Sequence, residues 1–535
     1  MKARKIYGKW VVLAILALTG CTKDFTEMNT PYNEGSVNSA SIPALFNNLA
    51  SRMIKDEDQT MYVALFWHAA NQQAVQSKTA NYLNYINSPW SSYYTSLKNY
   101  QQMMALINKN QNSSTFANVK NMAAILMAAK TLHMLDYFGD MPYSKAGIAS
   151  TGIEFYRPSY DKEADIYRSV LTGLQAAVNG LSIDAAQTNI GSSDSFLGND
   201  ITAYKKFGNA ILLRYAVRLY NKEQALASGI ITDIINNNKP LPNAQSLGAL
   251  EKDNFGFWPA AVNVEVDYYY IFREASVSAL RMGSNMWNQM SSTMANDGSG
   301  IFDPRCKIWF MTNNADKWVP APQNLSVVDG GNPYPNDPVN SIVKKPVGSD
   351  PGNIFSAFNI YLATDNKYRP TLIISEADVH FLKAEIYQRG MGVSKNIVTA
   401  KAEYEAGIKA SVDFWYGYTQ KSPRWAGRVP TPPTAAEMTA MLTNPKVLYN
   451  GANDNDALTK IATQAWIATT WQPAEAWAIV RRTGLVPRDA TAAPSNIVRL
   501  PYPDDEQTNN GANWTAVTGG ADKTAQSAKK LYWMP

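Results

Sequence analysis

ISEADVHFLKAEIYQRG, residues 374–390, carries the signals for both ends of one helix. Ser375 precedes the helical pattern and Asp378 follows it by three residues, an arrangement typical of a capping box with aspartate in place of glutamate. Gly390 comes directly after the last helical residue, where glycine commonly ends a helix. The stretch therefore predicts a helix from Ser375 to Arg389.

The same helical period continues on both sides of this stretch. Ser88 and Pro89 place an N-cap residue and a first-turn proline ahead of one run. The predicted helices are Trp90–Ile107, Lys120–Tyr137, Asp161–Leu181, Asp200–Tyr220, Ser375–Arg389, Val398–Trp415 and Asp456–Val480. Pairs of such helices resemble tetratricopeptide stacking, although no clean repeat of about 34 residues is present. The sequence therefore predicts a mainly α fold of tetratricopeptide-like helix pairs with little β structure.

Three tracts interrupt the helical pattern, at residues 236–373, 416–433 and 490–526. The first is rich in Pro, Gly, Asn and aromatic residues. Long irregular segments of compact proteins are usually functional or disordered, and the Trp and Tyr content of this tract favours function. No Pro/Gly/Ser linker divides the chain, so residues 40–535 are predicted to form one helical domain with loop-rich insertions.

The first residues read as an export signal. A basic head precedes nine apolar residues, Trp10–Leu18, which are too few to span a bilayer and typical of a signal-peptide core. LTGC follows at residues 18–21 and is similar to the bacterial lipobox. We therefore expect residues 1–20 to be a signal peptide, Cys21 to be lipidated, and residues 21–39 to form a polar tether.

Net charge excludes a nucleic-acid partner. The chain carries +5, from 49 Lys and Arg against 44 Asp and Glu. Four of the cations lie in the first twenty residues, which contain no acid, so the remaining chain carries only +1. The electrostatic footprint expected for nucleic-acid binding is therefore missing.

The reactive residue types predict neither a metal site nor an active site. Cys21 and Cys306 are the only cysteines, and the three histidines are widely spaced, so zinc sites built from Cys or His are improbable. Glu376 with Asp378 is explained by helix capping, and the nucleophile and phosphate-binding motifs do not occur. We therefore predict no enzymatic activity, no metal and no cofactor.

Several segments together resemble the SusD/RagB family of outer-membrane nutrient-binding lipoproteins of Bacteroidota, in particular its SusD-like subgroup. Each segment is a weak signal, but their order and spacing cover nearly the whole chain. They are LTGCTKDF (18–25), WSSYYTSLKN (90–99), DYFGDMPYSKA (136–146), FDPRCKIWF (302–310), residues 374–390 quoted above, AEYEAGIKASVDFW (402–415), QAWIATTWQPAEAWAIVRRTG (464–484), RLPYPDDEQTNN (499–510) and LYWMP (531–535).

The resemblance implies a binding protein that acts as a lid on a SusC-like TonB-dependent barrel transporter. Such a protein captures a glycan or a peptide and delivers it to the barrel. It is anchored by lipid to the outer membrane and faces the cell exterior. An alternative from another class is a helical-repeat adaptor that grips a partner of an outer-membrane complex and has no soluble ligand. A glycan-cleaving enzyme is a third reading.

Capture of sugars requires flat apolar rings and polar side chains, and the chain has 14 Trp and 29 Tyr. Core packing is the better explanation for the five tryptophans on helical stripes, which are Trp90, Trp415, Trp466, Trp471 and Trp477. Those in irregular tracts, with nearby polar residues, are the candidate ligand contacts. The candidates are Trp318, Trp309, Asn313, Asn314, Asp316, Tyr82, Tyr85, Asn81 and Tyr269.

Overall fold

The computed structural model describes residues 41–53, 69–70, 72–74, 87–243, 250–263, 265, 281–313, 315–322, 355–356, 358–363, 365–488 and 497–535. The predicted signal peptide 1–20, Cys21 and the tether 21–39 lie outside these residues and stay predictions. Within the part of the chain that is described, no helix is both long and apolar enough to span a bilayer.

The architecture is mainly helical, as predicted. The α-helices in chain order are α1 (Ile42–Ser51), α2 (Asn87–Lys109), α3 (Ala117–Phe138), α4 (Glu163–Asn179), α5 (Ile201–Leu219), α6 (Gln224–Asn236), α7 (Leu250–Asp253), α8 (Ser284–Met290), α9 (Cys306–Trp309), α10 (Ile360–Ala363), α11 (Glu376–Arg389), α12 (Ile397–Lys421), α13 (Ala435–Thr443), α14 (Asp454–Ala468), α15 (Pro473–Thr483), α16 (Asp504–Asn509), α17 (Gly511–Thr518) and α18 (Lys523–Ala528). The strands are β1 (Gln73–Ala74), β2 (Phe255–Phe257), β3 (Arg281–Met282) and β4 (Thr371–Ile374). They form two small antiparallel pairs, β1 with β3 and β2 with β4.

Helix α11 has both predicted ends. The Ser375 side chain accepts from the Asp378 backbone N–H, and the Asp378 side chain accepts from the Ser375 backbone N–H, which completes the capping box. Gly390 adopts the left-handed conformation, with φ +67°. Because glycine reaches this conformation without a Cβ clash, the helix stops where the sequence indicates.

Other predicted boundaries are wrong. The single helix expected over 456–480 is two helices, α14 and α15, because Pro473 has no N–H and its ring cannot continue a helix through that position. Helix α12 runs to Lys421, into the tract expected to be irregular from residue 416, because Tyr416 and Tyr418 extend its buried stripe. The tract expected over 490–526 contains α16 and α17 and most of α18.

Neighbouring helices pack as pairs, with α3 against α4, α5 against α6, and α11 against both α12 and α14. Small residues set the distances between them. A Cβ at Gly208 of α5 would lie 2.3 Å from Cγ2 of Val178 on α4, so only glycine permits this approach. These pairs enclose one continuous hydrophobic core that includes the buried rings of Trp466 and Trp477.

A C-terminal arm, residues 497–535, packs against the N-terminal helices. The Leu500 backbone N–H donates to the Tyr137 carbonyl oxygen at 2.7 Å, and the Tyr532 N–H donates to Oε1 of Glu163 at 2.7 Å. The side chains of Leu531 and Trp533 are buried. Contacts with helices α3 and α4 therefore hold this arm in place.

Glu163 makes the attachment of the arm sensitive to pH. Burial raises the pKa of its carboxyl to about 7, helped by the charge of Asp140 and opposed by the Tyr532 N–H and Arg499. Its second oxygen, Oε2, is buried and accepts no hydrogen bond from the described residues. Because the folded pKa exceeds the ordinary value of 4.5, stability from this group is full below pH 4.5 and is lost as the pH rises through 7.

We expect Glu163→Gln to be more stable than the wild type at pH 8 and nearly equal to it at pH 5. The amide still accepts from Tyr532 but cannot ionise, and the difference reaches on the order of 3 kcal/mol. Chemical unfolding at both pH values measures it, with exposed Glu154→Gln as the matched control. A wild-type-to-variant difference that is the same at both pH values contradicts the prediction.

Candidate functional site

Two adjoining loops, residues 291–301 and 310–321, form what we name the Trp318 loop cluster. The first loop closes on itself where the Ser292 N–H donates to the Gly300 carbonyl oxygen at 2.8 Å. The second joins it where the Trp318 N–H donates to the Asn296 carbonyl oxygen at 2.7 Å. The second loop is also tied to the N-terminus of α8, because the Ser284 N–H donates to the Ala321 carbonyl oxygen at 2.8 Å. Backbone hydrogen bonds therefore fix the loops relative to α8.

The Trp318 ring is partly exposed and rigidly supported. It stacks on the fully buried Trp287 ring of α8, with centroids 6.0 Å apart and an interplanar angle of 19°. A Cβ at Gly298, where φ is +80°, would lie 2.7 Å from Nε1 of Trp318. The glycine thus lets the first loop reach the edge of the indole. The result is an aromatic platform with one face covered by Trp287.

Asn313 and Asp316 shape the turn that precedes Trp318. Asn313 is buried, and its Oδ1 accepts from the backbone N–H groups of Ala315 and Lys317, each at 3.0 Å. Asp316 is exposed at the tip, with a left-handed φ of +56°. Asn313 therefore positions the platform, while the carboxylate of Asp316 faces solvent beside it.

Trp309 does not belong to the platform, which corrects the expectation that it lines the site. Its ring is fully buried and packs edge-on against Trp415 of α12, with centroids 5.8 Å apart. The Arg305 guanidinium lies 5.5 Å from the same ring centre. No face of Trp309 is left for a ligand.

The remaining candidates, Asn314, Asn81, Tyr82, Tyr85 and Tyr269, lie outside the described residues and stay predictions. Sequence reasoning missed Trp287 as a support and Gly298 as the close contact. The Asp297-Gly298 dipeptide is a turn signal that could have indicated where the first loop closes.

Asp378, which the sequence places in a capping box, and Asp504 at the start of α16 both have structural partners. Oδ2 of Asp378 accepts from Nη2 of Arg214 at 2.9 Å inside the core. Asp504 pairs with Lys523 at 2.8 Å on the surface. Among the residues that the structure describes, no three His, Cys, Asp or Glu side chains are grouped so that they could hold a metal ion.

Comparison with known families and structures agrees with this architecture. Residues 33–503 match the SusD-like family described as "Starch-binding associating with outer membrane". The chain therefore belongs to the SusD/RagB family, as its motifs predict. No curated protein matches it significantly.

Solved structures share the fold at low sequence identity. A SusD-like protein of Bacteroidetes (AC2a) is 20% identical, with a TM-score of 0.68, covering 92% of this chain and 99% of the other. A SusD homologue from Bacteroides fragilis NCTC 9343 is 19% identical, with a TM-score of 0.65 and coverage of 93% and 100%. A chitin-binding SusD homologue from Flavobacterium johnsoniae is 19% identical, with a TM-score of 0.62 and coverage of 92% and 98%. These likenesses confirm the predicted helical scaffold.

Proposed function

We propose that this protein is a cell-surface lipoprotein that captures an oligosaccharide or a peptide and delivers it to a SusC-like TonB-dependent barrel transporter. The family is one of binding proteins associated with the outer membrane, and two solved relatives are described as chitin-binding. The single observation that carries the proposal in this chain is the partly exposed Trp318 ring on its buried support, Trp287.

Anchoring at the outer membrane with the domain facing the exterior is part of the same proposal. Cys21 supplies the acylation site, and the polar residues that follow it supply a tether. Stable anchoring by acyl chains requires more than one chain, at about 0.8 kcal/mol per buried CH₂. A protein held in this way keeps its binding loops close to a membrane-embedded partner.

The chemistry of the platform suits a sugar ring. Pyranose rings present flat C–H surfaces that pack against an aromatic face, and the partly exposed Trp318 offers a fraction of the roughly 150–250 Å² that an aromatic side chain can bury. At about 25 cal/mol per Å², that fraction contributes on the order of 1–2 kcal/mol before ordering costs. Because the Trp287 stack already holds Trp318 in place, little side-chain entropy remains to be lost on binding.

We expect Trp318→Ala to lower affinity for the ligand by about tenfold to a hundredfold, because the stacking surface is removed. Isothermal titration against a panel of glycans and peptides measures this change. Tyr156→Ala removes an aromatic ring that is 66% exposed elsewhere on the surface and serves as the control. If Trp318→Ala leaves the affinity unchanged, Trp318 is not part of the binding site.

The alternative function, a helical-repeat adaptor, predicts a different result when the same panel of glycans and peptides is titrated. An adaptor would be isolated together with a barrel transporter and would bind none of the soluble glycans or peptides. Direct binding of one panel member by the purified protein therefore separates the two functions.

A further inference from the structure

A second concave surface lies away from the residues of the Trp318 loop cluster. It is a groove of about 880 Å³ lined by the first turns of α5, by residues 192–198 ahead of that helix, by residues 261–263 and by Asn47 of α1. We name it the α5 groove. Sites for small organic ligands have roughly 300–1,000 Å³, so the space is sufficient for a ligand of several rings.

One wall of the groove is held rigid by a buried carboxylate. Asp194 accepts hydrogen bonds from the backbone N–H groups of Phe196 (3.0 Å), Leu197 (3.1 Å) and Asn199 (2.8 Å). It also accepts from the Tyr204 hydroxyl at 2.9 Å. Because four donors fix this loop before any ligand arrives, little ordering entropy has to be lost on binding.

The same loop presents an aromatic ring to the groove. Phe196 is partly exposed and packs edge-on against Phe207, with centroids 5.2 Å apart at 72°. Phe207 in turn packs edge-on against Phe255, with centroids 5.6 Å apart at 74°. The exposed part of Phe196 is thus a fixed apolar surface supported by two buried rings.

Polar atoms beside this ring have unused hydrogen-bonding capacity. The Ser195 hydroxyl oxygen is buried, and none of the residues that the structure describes bonds it, which costs roughly 1–3 kcal/mol unless another group satisfies it. Oδ1 of Asp200 caps α5 by accepting from the N–H groups of Thr202 and Ala203. No residue in the described part of the chain bonds the other oxygen of Asp200.

Two of the flanking charged groups, Lys206 and Glu251, are already paired. Nζ of Lys206 lies 2.6 Å from Oδ1 of Asp253. Glu251 accepts from Lys421, with the closer contact at 2.9 Å. An anionic ligand would have to compete with these pairs and would be repelled by the Asp200 carboxylate, whereas the hydroxyl groups of a neutral ligand can donate to that carboxylate.

We infer that the α5 groove binds a neutral oligosaccharide. A fixed ring beside hydroxyl, amide and carboxylate groups matches a ligand that presents flat C–H faces and many uncharged hydroxyls. The choice of ligand class rests on the proposed nutrient-binding function, but the groove shares no residue with the Trp318 loop cluster. It would hold a second segment of the same polymer or a second molecule.

The test fills the groove with a bulky side chain. Thr202 is exposed and lines the groove, and only its backbone N–H takes part in capping α5, so Thr202→Trp blocks the space without removing the cap. Thr172→Trp places the same ring on an exposed position of α4 outside the groove and is the matched control. Ser195→Ala removes the unpaired hydroxyl with minimal change in shape.

The probes are maltohexaose and chitohexaose, added to the full chain carrying Trp318→Ala. We expect one of them to slow amide hydrogen exchange in residues 192–206. Its affinity should fall at least about tenfold in Thr202→Trp, fall by a smaller factor in Ser195→Ala, and stay the same in Thr172→Trp. Thermal unfolding of each variant shows whether it folds. If Thr202→Trp does not fold, Ser195→Ala still tests the groove.

Absence of exchange protection at 192–206 with both sugars overturns the inference, and so does equal affinity in Thr202→Trp and Thr172→Trp. Protection by a neutral hexapeptide in place of the sugars overturns the assignment of ligand class. If Trp318→Ala lowers affinity relative to the wild type while the groove substitutions cause no further change in affinity, the inference of a second site is wrong and the proposed function is unaffected.

Discussion

Asp303→Asn is expected to lower the free energy of unfolding by about 3–5 kcal/mol. Asp303 and Arg305 are both fully buried, within the FDPRCKIWF segment. Oδ1 of Asp303 accepts from Nε of Arg305 at 2.9 Å, and Oδ2 accepts from Nη2 at 2.6 Å. An amide at position 303 turns an N–H group toward the guanidinium and leaves its charge uncompensated.

The effect should be large because Arg305 also joins separate helices. Its guanidinium donates to Ser411 of α12 at 3.0 Å and to Gln464 of α14 at 2.9 Å. Equilibrium chemical unfolding measures the loss. Asp413→Asn, which breaks the exposed pair with Lys409, should leave the midpoint unchanged, because exposed ion pairs add little.

Replacing both partners separates the cost of an unpaired charge from the value of the pair itself. A double variant, Asp303→Leu with Arg305→Met, should recover part of the lost stability, because apolar side chains of similar volume commonly substitute for a buried ion pair, although Ser411 and Gln464 lose their bonds to Arg305. A double variant as unstable as Asp303→Asn contradicts this explanation.

Arg218→Met is expected to destabilise the protein by a similar amount, about 3–5 kcal/mol. Arg218 is buried between Asp136 of α3 and Glu475 of α15, and Nη2 lies 2.5 Å from Oε1 and 2.7 Å from Oε2 of Glu475. Its loss leaves the buried Asp136 and the half-buried Glu475 without this guanidinium, and the ion pair that Glu475 keeps within the described part of the chain is the 3.6 Å contact with Arg214. Chemical unfolding at neutral pH measures the loss.

The pH dependence of this effect identifies its cause. Burial alone would raise the pKa of Glu475, but Arg214 and Arg218 outweigh burial and hold the pKa at about 2, below the ordinary 4.5. Stability from this carboxylate is therefore present above pH 4.5 and is lost as the pH falls toward 2. The difference between wild type and Arg218→Met should be widest at neutral pH and narrow in acid. Lys409→Met, which breaks the exposed pair with Asp413, should show no such dependence, because exposed ion pairs add little.

Helix ends were predicted correctly where capping and stop residues lie directly beside the helical pattern of apolar residues. Helix α11 is the clearest case, because its capping box and Gly390 act within one turn of its ends. Two of the wrong helix predictions overlooked signals that were equally local. Pro473 marked the break between α14 and α15, and the buried residues Ala227, Ile230, Ile231 and Ile234 of the unpredicted helix α6 follow helical spacing.

The candidate site was less predictable because burial in irregular tracts depends on distant residues. Trp309 and Trp318 have similar neighbours in sequence, yet only Trp318 is partly exposed. Trp309 is enclosed by Trp415 of α12, a contact that local sequence does not encode. The α5 groove was not predicted at all, because α1, α5 and residues 261–263 meet only in the folded chain.

The contact between Glu163 and Tyr532 spans 369 positions of sequence. At a synthesis rate of roughly 5–20 residues per second, Tyr532 is synthesised about 20–70 seconds after Glu163. Until then the surface of α3 and α4 that receives the C-terminal arm remains uncovered. In the export that we propose, such a delay favours passage of a still-open chain through a narrow translocation channel, with compaction completed on the far side.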